Sequence, residues 1–208
     1  MHQTRQEAPK MLPIPRKGTK YVVRPLSNTR NSVSVVMATR DILRLAKTTR
    51  EVKAMIHHKM LKLNGRVVHD VRESIKLFNI FEAGKSYRLS ILPTKKFVLE
   101  ETKEKDSRIC KVISRKLISQ GKIQINMHDG SNLITKDKIN VGDTVYLDFS
   151  GKVKKHISLE KGRDVFVFSG KYSGCKGKIL EVSGKSVKLN INGKEKTVEI
   201  SESQLIVT

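Results

Sequence analysis

Residues 38–58 read ATRDILRLAKTTREVKAMIHH, and residues 60–70 continue as MLKLNGRVVHD. Thr39 can cap a helix with Asp41 in its first turn, and Ile42, Leu45 and Ala46 form an apolar stripe behind it. Thr48 and Thr49 interrupt the pattern. Thr49 can cap a second helix, with Glu51 in its first turn and Val52, Met55 and Ile56 as the second stripe. The spacing predicts two helices of about ten residues with a tight break between them. Asn64-Gly65 then marks a β-hairpin, because both residues of its turn need positive φ. The hairpin register is open at this level, so Lys62 and Arg66 are not assigned to a face.

The basic residues keep helical spacing too. Arg40, Arg44 and Lys47 fall at i, i+4 and i+7, and Arg50, Lys53 and His57 at i, i+3 and i+7. Each helix therefore carries a positive stripe away from its apolar one. An ordinary solvated face would look similar. Few acids accompany these cations, which favours contact with phosphate.

The whole chain shares this bias. Its 208 residues hold 42 Lys and Arg against 20 Asp and Glu, a net charge of +22. A small domain needs only about 2–8 charges to stay soluble, so a polyanionic partner is expected, nucleic acid being the commonest. Net charge is +6 over residues 1–36, +7 over 37–90, +6 over 91–155 and +3 over 156–208. No apolar run approaches the ~20 residues needed to span a bilayer, and no secretory signal is expected. Cys110 and Cys175 make neither a disulfide framework nor a zinc site, which fits a reducing compartment.

Residues 1–36 contain four of the five prolines and one aromatic, Tyr21. With little to bury, they read as an extended basic arm carrying Arg5, Lys10, Arg16, Lys17, Lys20, Arg24 and Arg30, ordered by its polyanion. Residues 72–159 are mostly short β-like runs, such as SYRLSILP, RICKVISRKLIS and TVYLDF. Polar turns at Glu82–Lys85, Gln120-Gly121, Asp129-Gly130 and Ser150-Gly151 separate them, the pattern of a small barrel or sandwich. Residues 162–182, GRDVFVFSGKYSGCKGKILEV, place Val165 and Val167 on one face of a strand. Gly170, Gly174 and Gly177 then let the chain loop back to a second strand at Ile179. Lys171, Lys176 and Lys178 decorate that loop, and Asn192-Gly193 signals a further hairpin.

Several of these stretches resemble known modules. Gly162, Val165, Val167, Gly170, Gly174, Gly177 and Ile179 resemble a KOW motif. A basic helix pair followed by a hairpin resembles the S-four-type RNA-binding module. HQTRQEAPK at 2–10, TREVKAM at 49–55, NGRVVHD at 64–70, His128-Asp129-Gly130 and Val141–Val145 resemble the e-type small-subunit ribosomal protein S-four family, collinearly over nearly the whole chain. LSNTRNS at 26–32 departs from the family's Pro-Gly-rich turn, and Ser131 stands where the family usually has Arg. The length is closer to archaeal than to eukaryotic members.

Enzymatic readings are weaker. His128-Asp129 precedes a glycine and reads as a turn, not a catalytic dyad. His57 and His58 diverge by about 100° on a helix and lack further ligands, so no metal site is expected. Cys175 has no histidine partner, and no nucleotide-binding glycine loop is present.

The expected fold is α+β and mostly β: a basic arm at 1–36, an S-four-type module at 37–90, a β-rich central barrel-like domain at 91–158 and an SH3-like KOW barrel at 159–208. The resemblance implies a non-enzymatic constituent of the small ribosomal subunit, cytoplasmic in location and acting in translation. Its expected partners are ribosomal RNA and neighbouring ribosomal proteins, with no cofactor, membrane or small-molecule substrate. The expected RNA-binding residues are those named in the arm, with Arg40, Arg44, Lys47, Arg50, Lys53, Lys62, Arg66, Lys171, Lys176 and Lys178. The alternative is an RNA-modifying enzyme or assembly factor carrying an S-four-like module.

Overall fold

Ser32–Thr39 is a continuous run of buried residues in the first half of the chain. The computed structural model describes residues 3–104, 106–118, 121–184, 186–191 and 197–208. They fall into two compact units, Met1–Asp106 and Ser107–Thr208. The expected Asn192-Gly193 turn and Gln120 of the Gln120-Gly121 turn lie outside the described residues.

In the first unit the proline-rich segment does not extend as an arm. Strand β1 (Gln3–Thr4) pairs antiparallel with β2 (Tyr21–Val22), closing the loop between them. Leu12 in that loop is buried, and Phe97 N–H donates to the Met11 carbonyl at 2.9 Å. Strand β3 (Ser32–Ser34) enters the core, with Val33, Val35 and Val36 fully buried. The expected arm thus ends inside the hydrophobic interior.

The first expected helix is shorter than its pattern and starts earlier. It is a π-helical turn, Met37–Ile42, with Leu43 N–H donating to the carbonyl of Ala38, five residues back. Thr39 caps nothing. It is buried and gives its hydroxyl proton to Val35 O at 2.9 Å. Leu45 N–H reaches back six residues to Thr39 O, and Arg44 takes φ +55°, so the helix unwinds. Arg40, Arg44 and Lys47 consequently do not share a helical stripe.

The second helix, α1, spans Thr49–His57. Its cap is Thr48, one residue before the expected Thr49. Thr48 Oγ1 accepts from Glu51 N–H, while the Glu51 carboxylate accepts from Lys47 N–H and the Thr48 hydroxyl. This reciprocal arrangement satisfies otherwise orphaned donors of the first turn. Thr48→Ala is expected to cost ~1 kcal/mol of stability in urea unfolding. A cost indistinguishable from zero would mean that Glu51 alone holds the turn.

A five-stranded antiparallel sheet and a separate two-stranded ladder complete this unit. Strands β4 (Leu61–Leu63) and β5 (Arg66–Val67) form the hairpin, with Asn64 and Gly65 at φ +49° and +77°. Strand β6 (Ser74–Lys76) pairs with β3, and β7 (Ile80–Ala83), β8 (Lys85–Ile91) and β9 (Phe97–Glu101) extend the hairpin in the order β5-β4-β7-β8-β9. The hairpin and the strands through Glu101 therefore share one sheet, across residue 90.

The second unit has two five-stranded antiparallel sheets. The first contains β10 (Ser107–Leu117), β11 (Ile123–Met127), β12 (Asn132–Thr135), β13 (Thr144–Asp148) and β14 (Val153–Ile157), in the order β12-β11-β10-β13-β14. Val112, Ile125, Val145 and Leu147 fill its core. The second contains β15 (Asp164–Val167), β16 (Lys176–Ser183), β17 (Ser186–Ile191), β18 (Thr197–Ser201) and β19 (Leu205–Val207), in the order β18-β17-β16-β15-β19. Val165, Ile179, Leu189 and Val207 lie in its core.

Polar ties join the two sheets. The Lys111 ammonium on β10 donates to the carbonyls of Glu202 and Leu205, and Val207 N–H donates to Thr144 Oγ1 at 3.0 Å. The buried Asp143 carboxylate accepts from Asn140 N–H and Leu159 N–H and lies 2.7 Å from His156 Nε2. Gly142 sits at φ +93°, where a Cβ would stand 1.8 Å from the Glu202 carboxylate. The stretch Val141–Val145 is therefore a seam between sheets.

Candidate nucleic-acid interface

On α1, burial separates the two faces as the periodicity predicts. Val52 is buried and Met55 and Ile56 are half-buried, while Arg50, Lys53 and His57 are exposed. The helix's acid does not neutralise them. Glu51 is turned to the N-terminus, where hydrogen bonds from Lys47 N–H and the Thr48 hydroxyl hold its carboxyl below the usual range. Among the described residues, no carboxylate forms an ion pair with Arg50 or Lys53. The two cations are one turn apart on the same face and available to phosphate.

The other sequence-predicted cations divide by partner. Arg40 is bidentate to Asp41 at 2.8 and 2.9 Å and also donates to Thr49 Oγ1, so it holds the break between the helical segments. Those hydrogen bonds with Asp41 raise its pKa further. Arg44 and Lys47 are exposed in that break. The hairpin register settles what the sequence leaves open: Lys62 points to solvent between buried Leu61 and Leu63. Arg66 is exposed but pairs at 2.8 Å with Glu73, a buried carboxylate that also accepts from the backbone of His69 and Asp70.

In the N-terminal loop, Lys10, Arg16, Lys17, Lys20 and Arg30 are exposed, and Arg24 is half-buried. The Lys20 ammonium lies 5.5 Å from the Tyr21 ring centre. Arg5 is internal to the loop, donating to the carbonyls of Pro15 and Thr19 and to the Thr19 hydroxyl.

The glycine-rich loop joins β15 to β16. Gly170 and Gly174 both take φ +88°, and Gly174 N–H donates to Val167 O at 2.7 Å, which closes the loop. Gly177 has a different reason. It lies in β16, where a Cβ would stand 2.5 Å from the Asn190 carbonyl oxygen, so strand approach requires it and the loop does not. Lys171 is exposed at the loop tip, its ammonium 5.7 Å from the Tyr172 ring centre, and Lys176 and Lys178 are exposed on the following strand.

Lys116, Lys122, Lys136 and Lys138 are further exposed cations, outside those expected from the sequence. Their only signal is the charge of residues 91–155, since no helical spacing marks them. His57 and His58 meet edge to face, with ring centres 5.7 Å apart. Cys110 is buried, which pushes its thiol pKa up. Among the described residues, no helix is long and apolar enough to cross a membrane.

The profile of ribosomal family S4e matches residues 83–153. The small ribosomal subunit protein eS4 of Methanocella arvoryzae is 31% identical, over 87% of this chain and 80% of its own length. That of Archaeoglobus fulgidus is 28% identical, over 100% and 92%. The crystal structure of the 30S ribosomal protein S4e from Thermoplasma acidophilum shares the fold, with a TM-score of 0.73 at 22% identity over 85% of this chain and 94% of that one. At 31% identity to the Methanocella arvoryzae protein, over 87% of this chain and 80% of that one, the chain belongs to ribosomal family S4e.

Proposed function

We propose that this protein is a structural constituent of the small ribosomal subunit and binds ribosomal RNA through clustered surface cations. The observation that carries the RNA-binding reading is the exposed Arg50–Lys53 face of α1, whose neighbouring acid is committed to the helix cap. We read α1 with the β4–β5 hairpin as the S-four-type module and β15–β19 as the KOW barrel. Lys62, Lys171, Lys176 and Lys178 extend the binding surface beyond α1, as do the N-terminal loop cations.

Cations docking on phosphates release condensed counterions, which supplies affinity and makes it depend on salt. Specificity then comes from RNA shape and unpaired segments, because the deep groove of an RNA helix hides its base edges. Several modules on one chain raise avidity through effective concentration. The work is structural, with ribosomal RNA and neighbouring ribosomal proteins as partners, in the cytoplasm.

The tagged protein is expected to co-sediment with small subunits on a sucrose gradient through moderate salt. Arg50→Ala with Lys53→Ala should release it at lower salt. In purified binding, the double variant should lower the slope of log K against log salt by about one unit for each phosphate no longer neutralised. An unchanged slope would show that this face is only solvated, and migration as free protein would point to a role outside the mature subunit.

A further inference from the structure

The loop closed by β1 and β2 encloses a cup of about 980 Å³, within the span of about 300–1,000 Å³ typical of small-ligand sites. Its walls are preset by two internal cations. Arg5 Nε donates to Thr19 O at 2.8 Å, and its terminal nitrogens donate to Pro15 O at 2.6 Å and Thr19 Oγ1 at 3.0 Å. Gly18, at φ +147°, lies against that guanidinium, where a Cβ would stand 2.7 Å from Nη2. The Lys96 ammonium likewise holds the carbonyls of Lys10 and Leu12 at 2.5 and 3.2 Å.

The rest of the lining has two chemistries. Ala8, Pro9 and Ile14 are apolar and half-buried, with buried Leu12 beneath them, and Lys10, Arg16, Lys17 and Lys20 are exposed cations. Among the described residues, no carboxylate lines the cup. Cations alone would suit any phosphate backbone. An apolar seat beside them suits a base that has left its stack, which is the part of an RNA that proteins read most specifically. A duplex could use the cations but not the seat.

We propose that this cup binds one unpaired, extruded nucleotide of an RNA, its base on the apolar seat and its flanking phosphates on Lys10, Arg16 and Lys17. This rests on the reading of the chain as an RNA-binding ribosomal protein, and it names the RNA feature that the N-terminal loop takes. Because Arg5, Gly18 and Lys96 hold the loop open before any ligand arrives, the site is preorganised.

The test uses the full-length protein and three probes: an RNA hairpin with a single 2-aminopurine bulge, the same hairpin fully paired, and adenosine monophosphate. The bulged hairpin is expected to bind about tenfold more tightly than the paired one, with a change in 2-aminopurine fluorescence. Ala8→Trp fills the cup without altering charge, so it should abolish the preference and leave paired-hairpin binding intact. Gln6→Trp, at an exposed position of the same lining, should do the same if Ala8→Trp does not fold. Equal binding of the two hairpins, or a preference surviving the tryptophan variant, overturns the cup while leaving RNA binding standing. Adenosine monophosphate binding as tightly as the bulged hairpin would assign a free nucleotide and overturn the RNA ligand. Failure to bind either hairpin would overturn the underlying reading as well.

Discussion

Replacing Asp129 by alanine is expected to lower the free energy of unfolding by about 3–5 kcal/mol. Asp129 sits in the His128-Asp129-Gly130 turn, with Gly130 at φ +80°, and its side chain is 3% exposed. Its carboxylate lies 2.7 Å from the Arg108 guanidinium, itself 19% exposed. It also accepts from the Ser131 N–H at 2.8 Å and the Ser131 hydroxyl at 2.5 Å, and Cys110 Sγ lies 3.8 Å away. Ser131 closes this turn, and the guanidinium comes from β10. Deleting the carboxylate strands a mostly buried cation and a backbone donor together, and an uncompensated buried charge is among the costliest single changes.

The charge state of the same group follows. Burial alone would push the Asp129 carboxyl up, but the Ser131 hydrogen bonds and Arg108 outweigh it, and its pKa lies below the ordinary value. A carboxyl depressed in the fold stabilises fully above its unfolded pKa of about 3.9 and loses that contribution as pH falls through its folded value. Wild-type protein should therefore lose stability below about pH 4 more steeply than Asp129→Ala. Replacing both partners, Arg108→Met with Asp129→Leu, should recover much of the loss, since an apolar pair strands neither charge. Urea unfolding at neutral and acid pH measures both effects. A cost below ~1 kcal/mol for Asp129→Ala would mean that Arg108 swings to solvent, and that the turn is held by its glycine alone.

This turn is legible in the sequence because Asp-Gly carries its own backbone requirement, as Asn64-Gly65 does. The face of α1 is legible for a related reason: Val52 against Arg50 and Lys53 is a contrast of periodicity within a few residues. What depends on a distant partner is not. Ser32–Thr39 is a strand and a helical turn buried by β6 and its neighbours, yet composition places its first half at the end of an arm, because the prolines before it dominate the count. The stripe of Arg40, Arg44 and Lys47 is periodic in sequence, but Arg44 leaves the helical region and Arg40 is drawn to Asp41 and Thr49. Gly177 reads as a loop glycine because nothing near it in sequence announces the Asn190 carbonyl.

Lys111 is the extreme case, and it sets a second large expectation: wild-type stability should rise with pH between about 8 and 10.5, by up to ~3 kcal/mol relative to Lys111→Met. In the run Cys110-Lys111-Val112 all three residues are buried. Cys110 and Val112 enter the core of their own sheet, while the Lys111 ammonium is caught by the carbonyls of Glu202 and Leu205, some ninety positions away in sequence. Burial pushes this ammonium down from 10.5 to about 8, and the Glu202 carboxylate offsets only part of that. The folded protein thus releases the proton at lower pH than the unfolded chain. Between those two values the unfolded chain binds more protons, so raising the pH favours the fold. A neutral amine still donates to both carbonyls, so deprotonation removes the desolvation cost without breaking the tie to β19. Lys111→Met keeps the length of the stem and has nothing to titrate. Other lysines and tyrosines cancel when the two unfolding curves are subtracted at each pH. A difference that stays constant from pH 7.5 to 10.5 would mean that Lys111 titrates as a solvated lysine and that the seam between the sheets is open to water. A difference that grows would place a buried cation, held by main-chain carbonyls, at the junction that positions the glycine-rich loop and its lysines.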